Sequence, residues 1–173
     1  RVSVLKYLGW EKQAVVDRNT GCFAHFLVEV PQMTVEELCR HLMRAIGMNG
    51  VRYIGRPQDK IRSIALVGHL FPSDYGLKHR DGSPAEYSVQ IIRTLEEKAD
   101  VIIPGEIIDW TVLSYVRDAI QQGRTKAMIN LGHLNWEELG MKYAQEWIGD
   151  LVEHRVPVTY VPSEDMYSFL LAD

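Results

Sequence analysis

Ala127-Met128-Ile129-Asn130-Leu131-Gly132-His133-Leu134-Asn135-Trp136-Glu137-Glu138-Leu139-Gly140 holds an apolar run, a glycine, a histidine and the opening of a helix. An apolar strand that stops at glycine and passes into a helical pattern is the junction of an α/β protein. Side chains placed there lie at the carboxyl edge of the sheet, where such folds bind ligands. The helix is expected from Asn135 to about His154, buried through Leu139, Tyr143, Trp147, Ile148 and Leu151. Glu137 then falls in its first turn, where the helix dipole favours the ionised carboxylate a metal requires. His133 and Glu137 are both metal-ligand types. A turn histidine and a helix-start acid explain the same residues, because two candidate ligands do not make a site.

Working outward, the same grammar recurs. Ile64-Ala65-Leu66-Val67-Gly68-His69-Leu70 is again strand, Gly, His, Leu, and Val101-Ile102-Ile103-Pro104-Gly105-Glu106 is strand, Gly and an acid. Glycine directly after a strand permits a sharp turn and close approach of a neighbour. In a parallel sheet the three strand ends share one edge, so His69, Glu106, His133 and Glu137 could converge, whatever the order of the strands. Two imidazoles and two carboxylates suit Zn, Mn, Fe or another divalent ion.

The remaining chain supports this frame. Thr34-Val35-Glu36-Glu37 is a capping box, and Val35, Leu38, Leu42, Ala45 and Ile46 follow at helical spacing up to Gly47. Ser83-Pro84-Ala85-Glu86 opens a second helix with Val89, Ile92 and Leu95 buried, and Asp109 caps a third that Gly123 closes. Short strands are expected at Val51 to Ile54 and at Ile61 to Val67, the latter with its core face on Ile61, Ala65 and Val67; Pro57-Gln58-Asp59 turns between them. The first thirty residues read as strands, with a hairpin turning at Arg18-Asn19-Thr20-Gly21 and ending at Pro31. Gly68 to Gly82 reads as a long polar loop with His69, Asp74, Lys78, His79, Arg80 and Asp81. Pro157 to Val161 reads as a further strand and Glu164 to Leu171 as a last helix. Strands alternating with helices imply a mainly parallel sheet in one α/β domain over residues 1–173.

Composition removes several classes of function. The net charge of −4, with scattered basic residues, excludes a nucleic-acid platform, which needs a basic stripe. Arg52, Arg56, Lys60 and Arg62 are the nearest thing to a cluster and read as a solvated face. No apolar run reaches the ~20 residues of a membrane span, and no secretory signal is visible. Cys22 and Cys39 cannot build a disulfide framework; Cys39 reads as a small core residue, and a reducing cytoplasmic setting fits. Neither a phosphate-cradling glycine loop nor a nucleophile elbow is present. Trp110 and Trp136 each lie near a proposed ligand and would wall its pocket.

The run Ala99-Asp100-Val101-Ile102-Ile103-Pro104-Gly105-Glu106, then a helix, then Gly132-His133 with Glu137 following, resembles the carboxyl-terminal part of the Nif-three-like family. That family comprises dinuclear metal-binding proteins and type-two GTP cyclohydrolase homologues. The resemblance covers about Thr34 to Val161. It implies an α/β fold with a mainly parallel or mixed sheet carrying helices on both faces. By resemblance His133 and Glu137 are ligands of a centre of one or two divalent ions, and Glu106 lines the same pocket; its expected role is ligand or catalytic general base. His69 joins them from the internal echo alone. The family's adjacent His-His pair and ligating Asp have no counterpart here, and Pro104 stands for the usual Thr. The chain begins at Arg1 rather than Met, so it is expected to be the downstream part of a longer protein. The function implied is a metal-dependent hydrolase acting on a nucleotide or other N-heterocycle. The alternative is a non-catalytic metal-binding or interaction protein forming a ring-shaped homo-oligomer, with Tyr7, Trp10 and Tyr167 as contact residues.

Overall fold

A computed structural model describes residues 1–18, 24–70, 78, 81–83, 86–107 and 112–171. The turn at Asn19 to Gly21, Cys22, Asp74, His79, Arg80, Pro84, Asp109 and Trp110 lie outside the described residues. The elements run α1 (Val2–Tyr7), β1 (Ala14–Asp17), β2 (His25–Thr34), α2 (Val35–Ile46), β3 (Arg52–Ile54) and β4 (Lys60–Gly68). There follow α3 (Tyr87–Glu97), β5 (Val101–Pro104), α4 (Val112–Gln121), β6 (Ala127–Asn130) and α5 (His133–Leu151).

The six strands form one mixed sheet in the order β1-β2-β4-β5-β6-β3. The three that rhyme, β4, β5 and β6, are its adjacent, mutually parallel centre. β5 and β6 are buried at every residue, which is why each reads as a near-continuous apolar run, broken in β6 only by Asn130. One core joins Val4, Leu38, Leu42 and Leu139 of α1, α2 and α5 to Ile64, Leu66 and Ile129. The other joins Tyr87, Ile91, Leu95 and Val116 of α3 and α4 to Ala65, Val67 and Ile102. Helices therefore cover both faces, and β4 is buried on both, not only through Ile61, Ala65 and Val67. Among the described residues no helix is long and apolar enough to cross a membrane.

The Thr34 box closes as expected: Glu37 N donates to Thr34 Oγ1 at 3.0 Å, and Thr34 N donates to Glu37 Oε2 at 2.6 Å. Gly47 ends α2 at φ +86°. Cys39 is buried, and desolvation pushes its thiol up to about 11.

Several elements depart from the sequence expectation. Residues 2–7 are helical, not extended: Val4, Leu5 and Leu8 lie at helical spacing and are buried, and Lys6 pairs with Glu146 of α5. Trp10 is 4% exposed, so it is a core residue rather than a surface contact. β2 does not end at Pro31 but continues to Thr34 through a register shift between Glu29 and Met33, where a residue without N–H is tolerated. β3 and β4 are not partners despite the turn between them; β3 pairs antiparallel with β6. That pairing covers the outer edge of β6, so residues 157–161 find no free edge there and form no strand. Tyr160 N instead donates to Gln145 Oε1 at 2.6 Å, and Ser163 N donates to Glu138 of α5. Residues 164–171 form no helix either. Trp147 and Leu151, expected inward, are 50% and 75% exposed; α5 is buried through Trp136, Leu139, Ala144 and Gly149.

His25 on β2 is fully buried, with Nδ1 2.9 Å from Thr94 Oγ1. The Thr94 hydroxyl donates to Gln90 O, so its oxygen accepts from the His25 Nδ1–H of a neutral ring. Desolvation, then the charge of Arg1, push the imidazole down to about 4. The denatured chain, with an ordinary histidine near 6.5, binds the proton first. Stability is therefore complete above about pH 6.5 and is lost as pH falls towards 4, by about 3 kcal/mol at 1.36 kcal/mol per unit. Urea unfolding at pH 7 and 4.5 should show His25→Gln losing markedly less stability between the two than the parent. Equal losses would remove His25 as the cause.

Candidate metal centre

The three post-strand segments are stitched together by backbone bonds that extend the ladder beyond the strands. Gly105 N donates to Gly68 O at 3.1 Å, Leu70 N to Glu106 O at 2.8 Å, and Leu131 N to Pro104 O at 3.3 Å. His69, Glu106 and His133 are thereby drawn to one edge.

The turn before α5 is tighter than its sequence suggests. Asn130, buried, accepts from Gly132 N through Oδ1 at 2.9 Å, and Gly132 turns at φ +81°, ψ +151°, a conformation open essentially to glycine. The helix then begins at His133, two residues before the expected start. Asn135 is not its cap; its amide donates back to Leu131 O at 3.0 Å. Glu137 consequently lies beyond the first turn, out of the strongest field of the helix terminus, which is a correction. The earlier start has a second effect. His133 and Glu137 become i and i+4 on one helical face, with Nε2 3.9 Å from Oε1.

His69 completes a group of three. Its Nε2 is 3.1 Å from Glu137 Oε1, and its ring stacks on that of His133 with centroids 4.3 Å apart and planes 13° from parallel. One ligand atom from each of His69, His133 and Glu137 falls within 4.8 Å of the others. The side chain of His69 is 14% exposed and forms the floor, while those of His133 and Glu137, at 57% and 60%, stand at the mouth. Trp136 walls the floor, tilted against His69 at 6.2 Å. Gly105 makes room for both: a Cβ there would lie 2.6 Å from Trp136 Cγ and 2.8 Å from His69 Cε1.

Glu106 adjoins the group without entering it. Its Oε2 is 3.7 Å from His133 Nδ1, the ring nitrogen away from Glu137, and its Oε1 accepts from Ile107 N at 3.3 Å. The donor chemistry of the group suits a divalent cation. Two imidazoles and a carboxylate are the protein share of an open zinc or iron site. Tetrahedral ligands on zinc sit about 3.3 Å apart, by bonds of about 2.0–2.1 Å; the observed 3.1 and 3.9 Å bracket that spacing.

The basic residues grouped by sequence separate in space. Arg56 binds Asp59 at 2.9 Å and donates to the carbonyls of Ile120 and Arg124. Arg52 instead lines a cavity of about 650 Å³ that also touches Glu106 and His133. Nothing in the local sequence separates Arg52 from its neighbours, because its place is set by the pairing of β3 with β6.

No curated protein matches this chain. Among solved structures, it is similar to a Bacillus cereus protein related to NIF3, at 18% identity and TM-score 0.58, over 86% of this chain and 36% of that one. Staphylococcus aureus protein SA1388 is similar at 19% identity and TM-score 0.55, over 84% and 42%. TTHA1606 from Thermus thermophilus is similar at 14% identity and TM-score 0.54, over 92% and 54%. These likenesses show the fold. The chain thus spans 36–54% of the length of these structures. The Duf34/NIF3 (NGG1p interacting factor 3) family matches residues 2–165, nearly the whole sequence, and the chain belongs to that family.

Proposed function

We propose that His69, His133 and Glu137 hold a divalent metal ion, and that the centre serves hydrolysis of a nucleotide or other N-heterocycle, with Glu106 as its acid-base group. The observation that carries this reading is the convergence of three candidate ligands, two imidazoles and a carboxylate, from two different strand ends within 4.8 Å. When bound, the ion supplies Lewis acidity, polarising a substrate atom and making water at its surface acidic near pH 7. Glu106, 44% exposed and lining the cavity beside His133, is the residue that would hold or release a proton at its carboxylate. His69, on the floor, is the anchoring ligand. His133 and Glu137, more than half exposed, would leave a held ion open to substrate and water.

Turnover of a panel of nucleotides and pterin-like heterocycles by the metal-loaded protein tests the reading. Glu106→Gln should retain metal and lose at least about a hundredfold in kcat, the usual weight of a general base. Turnover unaffected by that substitution would remove Glu106 from the chemistry.

A second reading, assembly into a homo-oligomer with or without catalysis, is favoured by the outward side of α5, where Met141, Trp147 and Leu151 are exposed. Light scattering after size exclusion distinguishes it: a monomer at all concentrations would end it.

A further inference from the structure

The 650 Å³ cavity beside the metal centre has a wall that comes from the far end of the chain. Asn49 grips residues 165–167: its backbone N–H donates to Asp165 Oδ2 at 2.7 Å, and its side-chain amide donates to Asp165 O at 3.3 Å and Tyr167 O at 2.8 Å. Tyr167 N donates to the other oxygen of Asp165 at 3.1 Å, so both carboxylate oxygens are engaged in holding the segment. Phe169 then lies against Gly50, where a Cβ would sit 2.8 Å from two ring carbons; any other residue at 50 would push the ring away. Tyr167 and Phe169, with Met48 and Leu134, give the cavity an apolar, partly aromatic wall.

The charged groups of the lining divide by role. Asp165 is committed to the Asn49 grip, and Glu106 and His133 belong to the metal centre. Arg52 remains: among the described residues its guanidinium has no hydrogen-bond or ion-pair partner, and it is exposed on the edge strand, lining this cavity and also a smaller pocket with Ile54, Ile107 and Met128. Its backbone is paired with Asn130, three residues before His133. With strands about 4.8 Å apart and a rise of about 3.3 Å per residue, that register puts it on the order of 10 Å from His133. A planar guanidinium at one end, aromatic rings along the side and a metal centre at the other end suit a small aromatic molecule carrying a carboxylate or phosphoryl group.

We propose that this cavity is the binding pocket of the centre, that Arg52 anchors the anionic group of its ligand, and that Phe169 and Tyr167 hold the ligand's ring. The proposal rests on the metal reading only in calling this a substrate pocket; the binding itself is measured separately.

Calorimetric titration with 4-nitrobenzoate and 4-nitrobenzylphosphonate, against neutral 4-nitrobenzamide and inorganic phosphate, tests it. Both aromatic anions should bind about tenfold or more tightly than the amide, the weight of a charge-assisted bond, and also more tightly than inorganic phosphate. The tighter of the two names the anionic group. Arg52→Gln should bring the anions down to the level of the amide, and Arg52→Lys should restore part of the difference. Phe169→Ala should weaken anions and amide alike. Anions bound no better than the amide, or an unchanged affinity in Arg52→Gln, would overturn the proposal. Metal analysis of the same samples separates the two readings. Arg52-dependent binding by protein without metal upholds the pocket while the metal centre fails. A full complement of metal with no dependence on Arg52 overturns the pocket and leaves the centre standing.

Discussion

His133→Ala is expected to leave a folded protein whose affinity for a divalent ion is weaker by roughly a hundredfold or more, the loss of a direct ligand exceeding the 10–100-fold of an outer partner. His133 sits at the mouth of the centre with 57% of its side chain exposed, so its removal opens no core cavity. Surface substitutions of this kind change stability by about 0.5 kcal/mol or less. The two quantities are therefore separable in one experiment. Metal analysis after purification without chelator should find the ion in the parent and not in the variant. Thermal unfolding with and without added zinc gives an independent reading, because ligand at about 100 times its dissociation constant stabilises a native state by about 2.7 kcal/mol. The parent should gain that stability and His133→Ala should not. A parent that neither carries metal nor responds to it would leave the convergence of His69, His133 and Glu137 without a metal-binding role.

Gly105→Ala should do damage of the opposite kind, inside the structure. The new methyl would meet Trp136 at 2.6 Å and His69 at 2.8 Å, distances no carbon pair sustains. Trp136, on the buried side of α5, is 6% exposed, and His69 lies on the floor of the site; neither is a free end that can swing aside. Overpacking of this kind costs about 1–3 kcal/mol. The expected result is a lowered unfolding midpoint together with loss of metal, since His69 must leave its place 3.1 Å from Glu137. Gly82→Ala is the comparison: nothing lies within 4 Å of its Cβ position, so its backbone at φ +86° carries the cost alone and metal binding should persist. Full metal binding by Gly105→Ala would show that the floor is looser than its contacts indicate.

The candidate site was legible in the sequence to an unusual depth for a local reason. Each candidate residue follows its strand within a few residues, so the repeat of apolar run, glycine and polar residue at Gly68-His69, Gly105-Glu106 and Gly132-His133 is written in consecutive letters. The capping box at Thr34 and the stop at Gly47 are local in the same way. What misled was also local. Val2 and Val4 carry a β-branched signal that tertiary packing against α5 overrides, and Pro157 to Val161 has strand composition, but the edge of β6 is already taken by β3. The start of α5 depended on Gly132 and on the carboxamide of Asn130, whose contact spans a turn that residue preferences alone do not specify.

The sequence by itself determined that three strands with largely apolar runs lead into a glycine and offer His69, Glu106, His133 and Glu137 beyond their carboxyl ends. Burial on both faces and the demands of a sharp turn leave those patterns in the chain. Only the tertiary structure decided that the three strands are neighbours, that His133 and Glu137 share a helical face with His69 against them, and that Glu106 stands outside the group. It alone placed Arg52, Tyr167 and Phe169 around one cavity. Those placements follow from pairing β3 with β6 and from the grip of Asn49 on residues more than a hundred positions away, and contacts between distant segments leave no periodic trace in either.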